Sequence, residues 1–408
     1  MAASSIELTI LIPCLNEAET LGDCIAKARL GIERSGVQAE IVVADNGSSD
    51  ASVNIAKDLG VRVVHVAERG YGNALRGGIQ TAFGKWILMG DADSSYDFSE
   101  ADRFVRKLKE GFDLVIGCRL PSGGGRIVRG AMPWQNRWLG NPVLSLLARV
   151  FFKCPVHDVN CGLRAFTKVA FQKMELKTTG MEFAPEMVFK STLEQLKIIE
   201  VPITLYRDNR SRRPHLRPWR DGWRTIQFML IYSPRWLFFT PGLVLSLIGI
   251  ALSVALSFND IRFGEAVLSV GTLSIASMMV VFGFQLIVAG VSTKVFAIAE
   301  GLLPPDRRFT CLLKVFTLDR GIIAGAIIVL AGVILLSRAL WIWQQTGYGQ
   351  LSYPENLRRL VPAALLIIVG SQSIFSSFFL GVLQLKTVSR TSSALTDSEE
   401  ERRNNESD

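Results

Sequence analysis

The chain has 408 residues, of which 49% are hydrophobic, and a formal net charge of +8. Two or three domains are expected at this length, and the mean hydropathy of +0.28 is high for a soluble enzyme. The six cysteines show neither a C-x-x-C pair nor Cys/His zinc spacing, which argues against a zinc module and favours reduced thiols. Much of the positive charge lies in one segment with seven arginines: Arg207, Arg210, Arg212, Arg213, Arg217, Arg220 and Arg224.

Residues 1–225 are predicted to form a globular α/β domain. Short apolar runs rich in β-branched residues and bounded by Gly, Pro or Asp indicate strands. The predicted strands are Leu8–Pro13, Glu40–Asp45, Val61–Val66, Lys85–Gly90 and Leu114–Cys118. Helical patterns separate them, beginning with Ala18–Glu33. Such alternation calls for right-handed βαβ units and a mainly parallel sheet.

Polar side chains follow three of these strands where each strand ends. They are Asn16 and Glu17, then Asp45 and Asn46, then Asp91 and Asp93. Open α/β sheets bind ligands outside the carboxyl ends of their strands, so these groups can face one crevice. Asp91 and Asp93 can share a hard cation such as Mg²⁺ or Mn²⁺. The alternative is a turn in which Asp93 caps the next helix.

Four apolar stretches in residues 236–385 are each about long enough to cross a ~30 Å hydrocarbon core. They lie near residues 236–258, 266–290, 321–343 and 361–385. Lys and Arg are concentrated in the basic juxtamembrane segment 207–235, in the loop after the second stretch and in the tail. This bias predicts that the amino-terminal domain and the carboxyl terminus are cytoplasmic. The Ser- and Glu-rich tail, residues 386–408, is predicted to be disordered.

Several longer motifs occur in a fixed order along the first domain. They are I-P-C-L-N-E (Ile12–Glu17), A-D-N-G-S-S-D (Ala44–Asp50), G-N-A-L-R-G-G (Gly72–Gly78), D-A-D (Asp91–Asp93), G-C-R (Gly117–Arg119), D-V-N-C-G-L-R-A-F (Asp158–Phe166) and E-V-P-I (Glu200–Ile203). Over residues 6–225 the chain resembles family 2 glycosyltransferases. More narrowly, it is similar to the dolichol-phosphate mannose synthase or polyprenyl-phosphate glycosyltransferase group.

The resemblance implies an α/β fold of the GT-A type, a Rossmann-like mixed sheet, followed by an all-α four-helix transmembrane domain. It implies a nucleotide-sugar donor and Mg²⁺ or Mn²⁺ held by Asp91 and Asp93. The donor-binding residues it implies are Pro13, Leu15, Glu17, Val43, Asp45, Asp91, Ala92, Arg119, Arg207 and Arg213. The catalytic set it implies is Asp93, Asp91, Arg119 and Asp158.

An acceptor phosphate is expected to meet arginines from two segments. One is the glycine-rich stretch Pro121–Arg137, which is either a loop that closes over the substrates or a plain surface loop. The other is the arginine cluster, which either anchors the chain to anionic lipid headgroups or binds phosphate through bidentate guanidinium groups. The expected acceptor-phosphate residues are Arg126, Arg129, Arg207, Arg212 and Arg213. Asp158 positions the acceptor or Arg164, or caps a turn.

The function that we expect is inverting transfer of a hexose, mannose or glucose, from GDP- or UDP-hexose to polyprenyl or dolichyl phosphate. It would take place at the cytoplasmic leaflet of the inner or plasma membrane. Two departures from the family pattern, Asn46 and Ser95, leave the nucleobase and the metal open. A processive glycan synthase and a lipid-linked-sugar transporter are the alternatives. No nucleic-acid partner is expected, and a homo-oligomer is left open.

Overall fold

A computed structural model describes residues 6–208, 210, 218–304, 306–315 and 317–405. Arg212 and Arg213, two of the expected phosphate ligands, lie outside the described residues. The chain divides into two compact units, Met1–Met229 and Leu230–Asp408.

The first unit alternates strands and helices, as the pattern of apolar runs predicts. Its strands are β1 (Leu8–Cys14), β2 (Ala39–Asp45), β3 (Arg62–His65), β4 (Trp86–Met89), β5 (Leu114–Cys118), β6 (Arg126–Ile127), β7 (Arg164–Thr167), β8 (Ile198–Pro202) and β9 (Thr204–Leu205). Its helices are α1 (Leu21–Ser35), α2 (Ser52–Asp58), α3 (Tyr71–Thr81), α4 (Ala101–Lys109), α5 (Asn141–Phe152), α6 (Lys168–Met174), α7 (Phe183–Leu193) and α8 (Pro218–Ile231).

Seven strands form one mixed sheet in the order β3-β2-β1-β4-β7-β5-β8. Only β7 runs antiparallel, and it lies between β4 and β5. The mixed sheet confirms the expected fold class. Because β1, β2 and β4 are parallel, their carboxyl ends lie at one edge of the sheet. The side chains of β1 are buried along its whole length, so the site stands on the rigid centre of the sheet.

The second unit is built around four helices that are long and apolar enough to cross a membrane. They follow one another as α9 (Thr240–Phe258), α10 (Val270–Ala299), α12 (Leu318–Gln345) and α13 (Tyr353–Asn405), with the short helix α11 (Arg307–Val315) before α12. A two-stranded hairpin, β10 (Ile261–Phe263) and β11 (Ala266–Leu268), joins α9 to α10.

Two of the helices differ clearly in their limits from the expected spans. The second helix starts at Val270, because residues 266–268 pair in the hairpin, and it continues to Ala299. The fourth begins at Tyr353 instead of residue 361. Both helices extend past their apolar stretches, since polar residues such as Lys294 continue a helix once the apolar part has nucleated it.

Helix α13 continues as far as Asn405, through the part of the tail for which the sequence predicts disorder. Glu and Arg in this segment have good helix propensity, which is compatible with a helical backbone. The side chains beyond Leu383 lie outside the described part of the chain. Disorder of the tail in solution stays a prediction.

Candidate active site

The acidic side chains that follow β1 and β4 meet at one guanidinium group. Arg210 donates from Nη1 to Glu17 Oε1 (2.9 Å) and from Nη2 to Asp93 Oδ2 (3.0 Å). Its Nε also donates to Asp208 (2.8 Å). Burial opposes the charge on Arg210, but the hydrogen bond to Asp208 and the charges of Asp93 and Glu17 raise its pKa above the usual range. Carboxylates from three parts of the chain thus surround one cation.

The two aspartates of D-A-D have different surroundings. Asp91 Oδ1 accepts a hydrogen bond from the Tyr71 hydroxyl (2.9 Å), and burial together with the nearby Asp93 charge raises the pKa of Asp91 to about 6. Asp93 Oδ1 accepts from the Ser95 backbone N–H (3.0 Å). Asp93 therefore stabilises the turn after β4 and does not cap the next helix. The helical turn that follows is capped by Asp97.

These two carboxylates fit a divalent cation that is bound together with a diphosphate. Within the described ranges, no three His, Cys, Asp or Glu side chains form a metal-binding cluster. A complete protein cage is not required, since Mg²⁺ usually binds one or two carboxylates and takes its other ligands from water and substrate phosphates. The Arg210 guanidinium on Asp93 is a positive charge already held at this position. Asp91 and Asp93 remain the expected metal ligands.

Asp45, at the end of β2, is held by hydrogen bonds on both carboxylate oxygens. Oδ1 accepts from the Ser48 N–H (3.0 Å), and Oδ2 lies 3.1 Å from His65 Nδ1. Burial would raise the pKa of Asp45, but the hydrogen bonds from Ser48 and His65 outweigh it and the pKa is lowered. Asp45 therefore keeps its negative charge at the edge where the donor's nucleoside is expected.

Asn46 departs from the family pattern for a structural reason. Its side-chain Nδ2 donates to the Glu68 carbonyl (2.8 Å), and its Oδ1 accepts from the Gly70 N–H (2.7 Å). A carboxylate in this place could accept but could not donate. Asn46 thus fixes the loop that leads into α3 and is not free for the nucleobase.

The apolar members of the expected donor set do not all reach the crevice. Leu15 is half-buried beside it, and Pro13 and Ala92 lie just beneath. Val43 is fully buried in β2, where its backbone pairs with Ile12 of β1 and with β3 on the other side. A strand in the interior of the sheet has neither a side chain nor a free backbone group to offer a nucleoside, so the structure does not bring Val43 to the site.

Arg119 and Asp158 form a buried ion pair. Arg119 Nε and Nη2 donate to the two carboxylate oxygens of Asp158 at 2.7 and 2.8 Å, and the Arg119 backbone N–H donates to Oδ2. Asp158 is fully buried and Arg119 is 8% exposed. Of the alternatives for Asp158, the one in which it positions Arg164 has no contact to support it, because Arg164 donates to the backbone carbonyls of Cys161 and Val159. Asp158 orients Arg119 after β5.

A tyrosine links this pair to the aspartates. The Tyr96 hydroxyl oxygen accepts from the Gly162 N–H (2.8 Å) and from Arg119 Nη1 (3.3 Å). A Cβ atom at position 162 would lie 2.7 Å from Asp91 Oδ2 and 3.2 Å from the Tyr96 hydroxyl. This close approach explains why the motif that begins at Asp158 has a glycine at its fifth position.

Three of the expected phosphate-binding arginines lie within the described residues, in two segments that the fold places side by side. Strands β6 and β9 pair in parallel, with Arg126 opposite Thr204. Beyond the pair, Arg207 Nε donates to the Arg129 backbone carbonyl (2.7 Å). Arg126, Arg129 and Arg207 are exposed. We call these three residues the arginine trio.

A backbone hydrogen bond connects the segment of the arginine trio to the acidic crevice, the site around Glu17, Asp91 and Asp93. The Tyr206 N–H donates to the Ser95 carbonyl (3.0 Å), two residues after Asp93. This hydrogen bond brings the segment of Arg207 next to the segment of Asp93 within the first unit.

Four residues of the site were not singled out as site residues from the sequence: Tyr71, Tyr96, Asp208 and Arg210. Arg210 belongs to the arginine cluster, but seven arginines in one segment give no signal that distinguishes the one that turns inward. Tyr71 directly precedes the motif G-N-A-L-R-G-G, and Tyr96 follows D-A-D by three residues. Proximity to these motifs was the only available signal.

A mixed α/β sheet with an acidic crevice, followed by four apolar helices, defines the class as a membrane-bound α/β enzyme. Comparison with known families makes this more specific. Residues 9–174 match the glycosyl transferase family 2 model, and residues 291–384 match the glycosyltransferase family 2 C-terminal transmembrane region. The low-salt glycan biosynthesis hexosyltransferase Agl6 of Haloferax volcanii is 32% identical over 92% of this chain and 89% of its own length. The chain belongs to glycosyltransferase family 2.

The chain is also similar to a second relative from the same organism and to a solved structure. A dolichyl-phosphate hexose transferase of H. volcanii is 29% identical over 53% of this chain and 89% of its own length. Among solved structures, glucosyl-3-phosphoglycerate synthase from Mycobacterium tuberculosis, in complex with Mn²⁺, UDP and glucosyl-3-phosphoglycerate, aligns with a TM-score of 0.43. That alignment is 20% identical and covers 55% of this chain and 79% of the synthase. The family matches and the H. volcanii relatives identify the chain as a membrane glycosyltransferase with hexosyltransferase relatives.

Proposed function

We propose that this glycosyltransferase moves a hexose from a nucleotide diphosphate sugar to a polyprenyl phosphate. The observation that carries the proposal is the position of the arginine trio next to the acidic crevice. Asp45 and Glu17 suit the hydroxyl and N–H donors of a nucleoside, while Arg126, Arg129 and Arg207 suit phosphate. A donor and an acceptor that both carry phosphate need such a divided surface.

The reaction does not need a strong general base from the protein. A phosphate monoester has a second pKa near 6, so its oxygen is already anionic at neutral pH. That oxygen attacks the anomeric carbon, the bond from this carbon to the diphosphate breaks, and the nucleotide diphosphate leaves. A divalent metal held by Asp93 and Asp91 would neutralise the leaving diphosphate. The arginines lower the repulsion between the two anionic substrates.

The acceptor class is supported by a relative and by the membrane unit. One similar protein is named as a dolichyl-phosphate hexose transferase. Polyprenyl phosphates reside in bilayers, and a chain with four candidate spans is retained where such an acceptor is. The Lys and Arg bias of the loops favours a catalytic domain at the cytoplasmic leaflet.

Nucleotide release tests this proposal directly. With the full-length protein in detergent and Mn²⁺ or Mg²⁺, a polyprenyl phosphate should raise nucleotide diphosphate release from GDP- or UDP-hexose at least about tenfold above the rate with water alone. The product should be one hexose per lipid, which distinguishes it from the polymer of a processive synthase. Release that is independent of any lipid phosphate, or transport of a lipid-linked sugar without release, would contradict the proposal.

Arg210 provides a second expected result. Its guanidinium lies 3.0 Å from the Asp93 carboxylate and 2.9 Å from that of Glu17, and partly neutralises both. Arg210→Ala should therefore lower the Kd for Mn²⁺ alone by about tenfold, because the metal no longer competes with a fixed cation. Isothermal titration calorimetry measures this, with Arg106→Ala on the exposed face of α4 as the matched control. An unchanged Kd would mean that Arg210 does not occupy the place of the metal.

A further inference from the structure

The membrane unit consists of two helix pairs that pack through small residues. A Cβ atom at Gly242 of α9 would lie 2.7 Å from the Gly283 carbonyl oxygen of α10. Likewise, a Cβ atom at Gly370 of α13 would lie 2.7 Å from the Gly325 carbonyl oxygen of α12. Backbones approach this closely in membranes when small residues line the interface. Helices α9 and α10 form one close pair, and α12 and α13 form the other.

Between the two pairs, α10 and α13 together border a groove. It has a volume of about 610 Å³ and is lined by phenylalanine rings from both helices: Phe284 and Phe296 on α10, and Phe375 and Phe379 on α13. The volume falls within the roughly 300–1,000 Å³ that is usual for small-molecule sites.

The groove lies toward one end of the membrane unit. Phe284 and Phe296 are 12 positions apart (296 − 284), about 18 Å along a helix at 1.5 Å per residue. Helix α10 ends at Ala299, just beyond Phe296. Because a hairpin joins α9 to α10, the end of α10 lies on the side at which α9 begins. The groove thus extends along about 18 Å of α10, up to the end of the helix on the side at which α9 begins.

A polar side chain in the groove has no hydrogen-bond partner within the part of the chain that the structure describes. Ser292 lines it, is 8% exposed, and its Oγ has no hydrogen-bond partner among the described residues. The same holds for Oε1 of Gln372, on the α13 side. A buried hydroxyl without a partner is costly in an apolar surrounding. An occupant that accepts a hydrogen bond from the Ser292 hydroxyl would offset this cost.

We propose that this groove, lined by Phe284, Ser292, Phe296, Gln372, Phe375 and Phe379, holds the isoprenoid tail of the acceptor lipid. This inference rests on the proposed function and adds a binding site to it. A helix of a second copy, about 10–12 Å in diameter, is too wide for a groove of this volume. An isoprenoid chain is narrow, packs against aromatic rings, and carries a C=C bond in each unit. The π electrons of these bonds accept weak hydrogen bonds, such as one from the Ser292 hydroxyl, and saturated acyl chains have none.

The test fills the groove and compares acceptors of two lengths. In the full-length protein, Ala289→Phe places a ring among the lining residues. We expect the KM for a 55-carbon polyprenyl phosphate to rise at least tenfold, and the KM for a ten-carbon isoprenyl phosphate to change less than twofold. Ile275→Phe, on an exposed part of the same helix, is the control and should change neither KM. Ser292→Ala adds no bulk and should raise the long-acceptor KM about threefold.

Binding without turnover separates the possible failures. Native mass spectrometry of the wild-type protein should show one bound 55-carbon polyprenyl phosphate, which Ala289→Phe loses and Ile275→Phe keeps. If neither acceptor supports nucleotide release, the proposed function fails, and this binding measurement still decides the groove. If Ala289→Phe instead loses a phospholipid and keeps the long-acceptor KM, the groove holds a membrane lipid and the inference is overturned. Unchanged KM and unchanged polyprenyl phosphate binding in both Ala289→Phe and Ser292→Ala also overturn it.

Discussion

Asp93→Asn is expected to reduce hexose transfer at least about 1,000-fold and leave expression and membrane insertion intact. The carboxylate stands at the end of β4 with a side chain 13% exposed, and its partners are a backbone N–H and Arg210. It contributes to the site more than to the core. Losing one anionic ligand weakens the metal that would neutralise the leaving diphosphate, and metal charge stabilisation contributes several kcal/mol to the transition state. Single-turnover transfer at saturating Mn²⁺ measures the effect.

Asp102→Asn is the matched control for this variant. Asp102 lies on α4 in a solvent-exposed pair with Arg106 (2.9 Å), so the same chemical change there removes a carboxylate far from the expected metal. Its transfer rate should stay within about twofold of wild type. Near-normal turnover by Asp93→Asn with metal present would mean that Asp93 is not a metal ligand.

The sheet could be predicted from the sequence because its strands carry their own signal. The run from Leu114 to Cys118 is apolar, short and bounded by turns, and the structure has that strand with the same limits. The position of β7 could not be predicted from such runs. Its place between β4 and β5 depends on pairings along the whole chain, which local patterns do not contain.

The candidate site divides in the same way. Carboxylates directly after strands, such as Asp45 and Asp93, could be predicted, since the carboxyl ends of parallel strands share an edge. The partner of each charge could not. Arg210 is 117 residues from Asp93, and Asp158 is 39 residues from Arg119. Which arginine meets which carboxylate is decided by the packing of distant segments.

The buried pair gives the other large expected effect. Asp158→Asn should lower the free energy of unfolding of the first unit by about 3–5 kcal/mol, because Arg119 would keep its charge at 8% exposure without a counter-ion. Thermal unfolding followed by tryptophan fluorescence measures this. The exposed Arg106–Asp102 pair is the comparison, since Asp102→Asn should cost no more than about 0.5 kcal/mol. Equal losses in the two variants would mean that the Arg119–Asp158 pair is solvated.

Replacing both members of the pair separates stability from function. Arg119→Met combined with Asp158→Leu removes both buried charges and keeps similar volumes, and such exchanges are often neutral or stabilising. We expect the double variant to recover most of the stability that Asp158→Asn loses. If Arg119 also contacts the donor's diphosphate, as the family resemblance implies, the folded double variant should still lose transfer at least about 100-fold. Recovery of both stability and transfer would show that Arg119 has a structural role only. Phosphate binding would then depend on Arg210 and the arginine trio.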